Sequence, residues 1–249
     1  MGKKIVVHSF KGGTGKSNLT ANIATALTKM GKTIAVVDSD IKSPGLHFIF
    51  NIPDEKMEWK LNDYLWGKCE IGDTVVELTS LGEKLFFIPA SLKAGEILKI
   101  LRDGYEVAQF NTGLSRLIDE LDLDYLFVDT HPGLDEDTLL AIAASDLLLL
   151  LMRPDKQDYT GTAVSLEVAA RLEKPTYIIV NKIPSIFNLD EVVGEVKDAY
   201  LKPVLGAIPF YEEVSAAASG KVFILSNPLH DFSKCINEIT EQFLKIFEE

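Results

Sequence analysis

Short apolar runs alternate along this chain with longer stretches in which apolar residues recur every third or fourth position. The centres of the runs lack polar interruptions, as strands buried on both faces do, and the stretches between them fit amphipathic helices. Strands are predicted at Lys4–His8, Thr33–Val37, Leu85–Ile88, Tyr125–Val128, Leu147–Met152, Thr176–Val180 and Val204–Ile208. Between the first two, Leu19, Ile23, Leu27 and Met30 mark one helical face, and Gly31 stands where a glycine ends a helix. Leu61-Asn62-Asp63-Tyr64-Leu65 has apolar residues four apart and predicts a short helix at the rim, within the otherwise irregular stretch 53–82. The alternation implies βαβ units, and so an α/β fold with a single doubly wound, mostly parallel sheet covered by helices on both faces. No repeat, low-complexity tract or linker-like stretch divides the 249 residues, so a single domain over 1–249 is expected.

Apolar residues make up 47% of the chain, ample for a sizeable core, while 25 basic against 37 acidic side chains leave a net charge of −12. That charge opposes non-specific adhesion to nucleic acid or anionic lipid. Cys69 and Cys235 lie far apart without a CxxC spacing, which leaves a disulfide scaffold or a zinc knuckle without support. The chain enters a strand almost at once and has no apolar stretch long enough to span a bilayer, so a soluble cytoplasmic protein is expected. Near the C-terminus Phe232, Ile236, Ile239, Phe243 and Phe247 form an amphipathic stripe whose polar side carries Glu238, Glu241 and Glu248. Its acidity predicts a helix packed on the core rather than a membrane anchor.

In open sheets of this kind ligands bind beyond the carboxyl ends of the strands. There, after Ile5-Val6-Val7, comes Lys11-Gly12-Gly13-Thr14-Gly15-Lys16-Ser17, leading into a helix. Glycines let successive N–H groups turn toward a polyphosphate, and the helix N-terminus adds its positive end. Lys16 is placed to reach β- and γ-phosphates and the Ser17 hydroxyl to ligate Mg²⁺. The usual P-loop formula has glycine where this chain has Phe10. After the second strand, Asp38-Ser39-Asp40 offers carboxylates for Mg²⁺ and a water, or plain loop and capping acids. Tyr125-Leu126-Phe127-Val128-Asp129 is an apolar strand ending in an acid, the shape of a Walker B element. Asn181-Lys182-Ile183-Pro184 does not meet the guanine-selecting Asn-Lys-x-Asp pattern, which favours adenine. A turn-capping Asn181 is the other reading.

A lysine followed by two glycines before Gly-Lys-Ser resembles the deviant Walker A pattern of the MinD/ParA family of ATPases. Asp38-Ser39-Asp40 and Asp129-Thr130-His131-Pro132-Gly133 are similar to that family's other motifs. Leu61–Leu65, Phe87-Ile88-Pro89-Ala90-Ser91 and Ser145-Asp146-Leu147 extend the likeness over nearly the whole chain, closest to MinD-like proteins. The resemblance implies a P-loop NTPase fold and Mg²⁺-dependent ATP hydrolysis. It implies an ATP-binding set of Gly12, Gly13, Thr14, Gly15, Lys16 and Ser17, with Asn181 at the adenine edge and Pro209 and Phe210 as a wall beside the base. Asn18 replaces a threonine that touches the α-phosphate, and its amide offers a substitute donor. Ser17, Asp38 and Asp129 would serve the metal.

By the same resemblance Lys11, Lys16 and Asp40 are the catalytic set. Asp40 positions the attacking water, and Lys11 crosses a two-fold interface to the partner's nucleotide, so ATP drives homodimerisation. His131 stands in place of a proline, either as a tolerated loop residue or as a titratable group beside the switch. The implied output is the positioning or regulation of a protein partner in cell division, chromosome partitioning or cargo placement. Neither partner nor activator is named by the residues, and no strong nucleic-acid or membrane binding by the isolated chain is expected. Two other classes are a metabolic ATP-dependent ligase of the dethiobiotin-synthetase-like kind and a nucleotide-binding scaffold. Lys11 with its paired glycines and Asn181 oppose the first; Lys16, Ser17, Asp40 and Asp129 oppose the second.

Overall fold

The computed structural model of the chain describes residues 2–217 and 220–248, and the other positions of the expected 1–249 domain lie outside them. From the N-terminus the elements are β1 (Lys3–His8), α1 (Lys16–Lys29), β2 (Ile34–Asp38), α2 (Leu46–Ile49), α3 (Leu61–Leu65), β3 (Val76–Glu77) and β4 (Leu85–Ile88). There follow α4 (Ala94–Asp103), α5 (Val107–Glu120), β5 (Tyr125–Asp129), α6 (Glu136–Ala144), β6 (Leu147–Met152) and α7 (Lys156–Arg171). The last are β7 (Thr176–Ile183), α8 (Leu189–Tyr200), β8 (Val204–Pro209), α9 (Glu212–Ala217), α10 (Phe223–Ser226) and α11 (Asp231–Lys245). Among the described residues the sheet has eight strands in the order β3-β4-β2-β5-β1-β6-β7-β8. All its pairings are parallel except β3 with β4.

Apart from the two-residue β3, the strands feed two cores because successive side chains point to opposite faces. Ile5 and Val7 of β1 join Leu19 and Ile23 of α1 and Ile236 of α11, while Val6 joins Leu117 of α5 and Ile142 of α6. The leucine run of β6 divides in the same way, Leu147, Leu149 and Leu151 on one side and Leu148, Leu150 and Met152 on the other. A run that is apolar at every position is what a strand covered on both faces requires.

The helix after the phosphate-loop motif buries Leu19, Ile23 and Leu27 and stops at Lys29; Gly31 takes the left-handed conformation at φ 85°. Met30 is 38% exposed, because it caps the helix instead of continuing its face. The C-terminal stripe packs on the core as expected. Phe232, Ile236, Ile239 and Phe243 of α11 are buried, and the Phe243 ring meets Tyr125 at 5.0 Å between centroids. Among the described residues no helix is long and apolar enough to cross a membrane.

The main departures from the sequence reading lie at strand ends. β2 and β5 each take in the acid that closes them, Asp38 and Asp129, which face one another as parallel partners. β7 runs past Val180 to Ile183 through an irregularity in its pairing with β8. β3 went unpredicted, since two residues on an antiparallel edge carry no readable period. The strand order gathers the segments after β1, β2, β5, β6 and β7 at one edge of the sheet, where the motifs meet.

Candidate functional site

The turn from β1 into α1 depends on left-handed backbone at Gly13 and Gly15, with φ of 79° and 92°, a conformation that costs any L side chain. At Gly15 a Cβ would also stand 2.6 Å from Asn181 Nδ2. No side chain caps the start of α1 and no acid occupies its first turn, so its leading N–H groups are free for an anion.

A cavity of about 390 Å³ opens above this turn. It is lined by Lys11, Gly12, Gly13, Thr14, Gly15, Lys16, Ser17 and Asn18, with Asp40, Ser43 and Pro132 closing it from the loops after β2 and β5. Lys16 Nζ lies 3.1 Å from Asp129 Oδ1, which also accepts the Thr20 hydroxyl at 3.3 Å. Asp129 Oδ2 is buried and without a hydrogen bond. An orphaned carboxylate oxygen in such a place is costly unless a cation takes it, and oxygen donors suit Mg²⁺. Asp129 therefore fits the metal that the motifs imply, and Ser17 lines the cavity as a further oxygen donor.

The two acids of Asp38-Ser39-Asp40 do different things. Asp38 Oδ2 accepts the N–H groups of Gly45 and Leu46 at 3.0 and 3.1 Å, and Oδ1 accepts that of Asp40 at 3.3 Å. It thus anchors the loop that returns to α2, while burial and then the Asp129 charge push its carboxyl up to about 7. Asp40 lines the cavity, with Oδ1 accepting the Ser43 N–H at 3.0 Å. Burial raises its pKa as well.

Lys11 turns toward the start of α7. Its ammonium bonds to Gln157 and sits 3.8 Å from Asp155 and 3.7 Å from Asp158. Phe10, which breaks the usual glycine formula, fills a notch over Gly161 of α7, so close that a Cβ there would lie 2.1 Å from the ring. Asp155 in turn caps α7, accepting the N–H groups of Gln157 and Asp158 at 3.1 and 3.0 Å.

Beside the phosphate cavity, and sharing Gly15 and Asn18 with it, a narrower cavity is lined by Asn181, Lys182, Pro209, Phe210, Tyr211 and Phe232. Asn181 lines this cavity, one amide N–H donating to the Thr14 carbonyl at 2.7 Å while Oδ1 accepts the Lys182 N–H at 2.9 Å. Asn18 Nδ2 is buried and unpartnered, so the donor expected near an α-phosphate is open. Phe210 is 46% exposed at the mouth of this cavity.

Three residues of the site are beyond sequence reasoning. Lys182 Nζ donates to the Gly13 carbonyl at 2.7 Å. His8 is fully buried, with Nδ1 2.9 Å from Thr130 Oγ1 and Nε2 unpartnered; burial, then the charge of Lys16, pushes its pKa down to about 3. Lys42 pairs with Asp135, whose Oδ2 also lies 2.7 Å from His131 Nε2, so the loops after β2 and β5 are tied across the site. The only sequence signal for His8 and Lys182 is that both stand near the carboxyl ends of strands.

Residues 5–223 match the family described as the CobQ/CobB/MinD/ParA nucleotide binding domain. An uncharacterized ATP-binding protein of Methanocaldococcus jannaschii is 28% identical over 253 residues, covering 96% of this chain and 87% of that protein. The septum site-determining protein MinD of Bacillus subtilis is 24% identical over 256 residues, covering 98% and 90%. In fold the chain is similar to MinD of Pyrococcus horikoshii in complex with Mg-ADP, with a TM-score of 0.84 at 20% identity over 99% of this chain and 97% of that one.

Proposed function

The chain belongs to the MinD/ParA family of nucleotide-binding ATPases, and from that membership we propose that it hydrolyses Mg²⁺-ATP and that ATP converts it from monomer to homodimer. The reading rests above all on one cavity being lined at once by Lys11, Lys16, Ser17 and Asp40. A triphosphate along the glycine turn takes its hydrogen bonds from the loop and from the open start of α1. Lys16 exchanges Asp129 for the β- and γ-phosphate oxygens. Ser17 and Asp129, backed by Asp38, would hold Mg²⁺, which supplies charge neutralisation on the phosphoryl oxygens. Asp40 orients the attacking water at the cavity wall, in a reaction that asks for positioning and charge more than covalent help.

Lys11 leaves Asp155 and Asp158 for the nucleotide of a second subunit, so the site is complete only in the dimer. Adenine occupies the cavity of Asn181, Pro209 and Phe210, with Asn18 Nδ2 toward the α-phosphate. The whole chain acts in the cytoplasm as one such domain, and its dimer positions or regulates a protein partner, in keeping with the septum-site role named for the Bacillus subtilis relative. The net charge of −12 favours a protein over DNA or anionic lipid as that partner. Phosphate release and light scattering with Mg²⁺-ATP, Mg²⁺-ADP and ATP plus chelator test the proposal. Mg²⁺-dependent release, and a doubling of mass with Mg²⁺-ATP but not with Mg²⁺-ADP, are expected; a monomer that releases no phosphate would overturn it.

A further inference from the structure

β7 pairs with β8 up to Val180 opposite Ala207, then slips so that Ile183 stands opposite Pro209. Inside the slip Lys182 holds a left-handed backbone, φ 56°, which L side chains adopt at a cost. In a regular strand residues 181 and 182 would point to opposite faces. Here both reach the phosphate loop: Asn181 Nδ2 donates to the Thr14 carbonyl and Lys182 Nζ to the Gly13 carbonyl, each at 2.7 Å. The kink is pinned by the Lys182 N–H donating to Asn181 Oδ1 at 2.9 Å.

These bonds have a geometric effect on the loop. In a trans peptide the C=O and the following N–H point in opposite directions. With the carbonyls of Gly13 and Thr14 drawn toward β7, the N–H groups of Thr14 and Gly15 face away from it, on the side of the cavity those residues line. Two peptide dipoles are thereby fixed before any anion arrives, and such preorganisation lowers the cost of binding. A glycine would hold the backbone of residue 182 without strain. What a glycine lacks is the ammonium.

We propose that Lys182 is a positioning residue of the nucleotide site, its ammonium holding the Gly13 carbonyl outward and so pre-setting the phosphate loop. The inference rests on the nucleotide reading above. Lys182 acts through the loop, so ATP and ADP are affected alike.

The test is calorimetric titration of the full chain with Mg²⁺-ATP and Mg²⁺-ADP, alongside thermal melts, for Lys182→Met, Lys182→Gly and Lys182→Arg. Methionine keeps an aliphatic stem against the neighbouring cavity and removes only the cation. Both Lys182→Met and Lys182→Gly are expected to weaken each nucleotide about tenfold, and Lys182→Arg to recover most of that loss. Melting temperatures should divide differently. Lys182→Met falls, whereas Lys182→Gly stays within a few degrees of wild type because it relieves the left-handed backbone. Affinity that follows the cation while stability does not is the mark of positioning. Wild-type affinity in Lys182→Met or Lys182→Gly, beside a wild type that binds normally, would overturn this inference alone. A wild-type chain that binds neither nucleotide would overturn the nucleotide reading and this inference together.

Discussion

Lys16 and Asp129 are joined at 3.1 Å beneath the phosphate loop, with side chains only 7% and 1% exposed. The lysine assigned to a nucleotide is, without one, the counter-ion of the acid assigned to the metal. Lys16→Ala therefore removes two things together. Nucleotide binding is expected to be lost, and because a buried carboxylate is left uncompensated, stability should fall by about 3 kcal/mol. Titration with Mg²⁺-ATP and denaturant unfolding measure the two losses separately. Unchanged affinity in the folded variant would remove the phosphate-loop assignment.

Asp40 and Lys11 separate hydrolysis from assembly. Asp40→Ala is expected to bind Mg²⁺-ATP, to hydrolyse it slower by on the order of a hundredfold, and to accumulate as dimer. Lys11→Ala, lacking the cation offered across the interface, should keep nucleotide affinity in the monomer and fail to dimerise. Light scattering with saturating Mg²⁺-ATP decides both, and a monomeric Asp40→Ala or a dimeric Lys11→Ala contradicts the shared-site mechanism.

The cavity of Asn181, Pro209 and Phe210 is expected to prefer ATP over GTP. A base that leaves a buried polar group unpaired loses about 1–3 kcal/mol, or tenfold and more in affinity. Direct titration with the two nucleotides measures the ratio, and equal or tighter GTP binding would be incompatible with an adenine site.

His8 makes stability depend on acid. Burial, reinforced by the Lys16 charge, drops its folded pKa from 6.5 to about 3. The native ring stays neutral while the unfolded chain takes up a proton, so its contribution is full above pH 6.5 and is lost as pH falls from there toward 3. His8→Gln is expected to flatten the stability profile across that window by up to one proton. Urea unfolding at a series of pH values measures the slope, and a slope equal to that of wild type would exclude His8 as its source.

What the sequence made legible follows from local periods. β6 is apolar at every position because it is covered on both faces, and the glycines before Lys16 mark a turn that takes left-handed backbone at Gly13 and Gly15. Asp38 was legible as an acid at a strand end but not as the anchor of the loop to Leu46, since its acceptors are filled only once the chain has doubled back. Lys11 was legible as a cation, whereas its contacts at Asp155 and Asp158 depend on α7 folding beside the loop. Met30 fitted the helical period and still ended exposed, because Gly31 stops the helix before that face is complete. Lys182 was hidden most fully. A register slip turns it, and no hydrophobic pattern encodes a slip.

Gly161 has no side chain, and Phe10 occupies the space that one would fill. Adjacent to that seat, Lys11 is tethered to the residues that begin the same helix. The front of the phosphate loop is therefore seated on α7 at two successive residues. Lys11 and Phe10 thus take their places from α7 as well as from the loop that carries them.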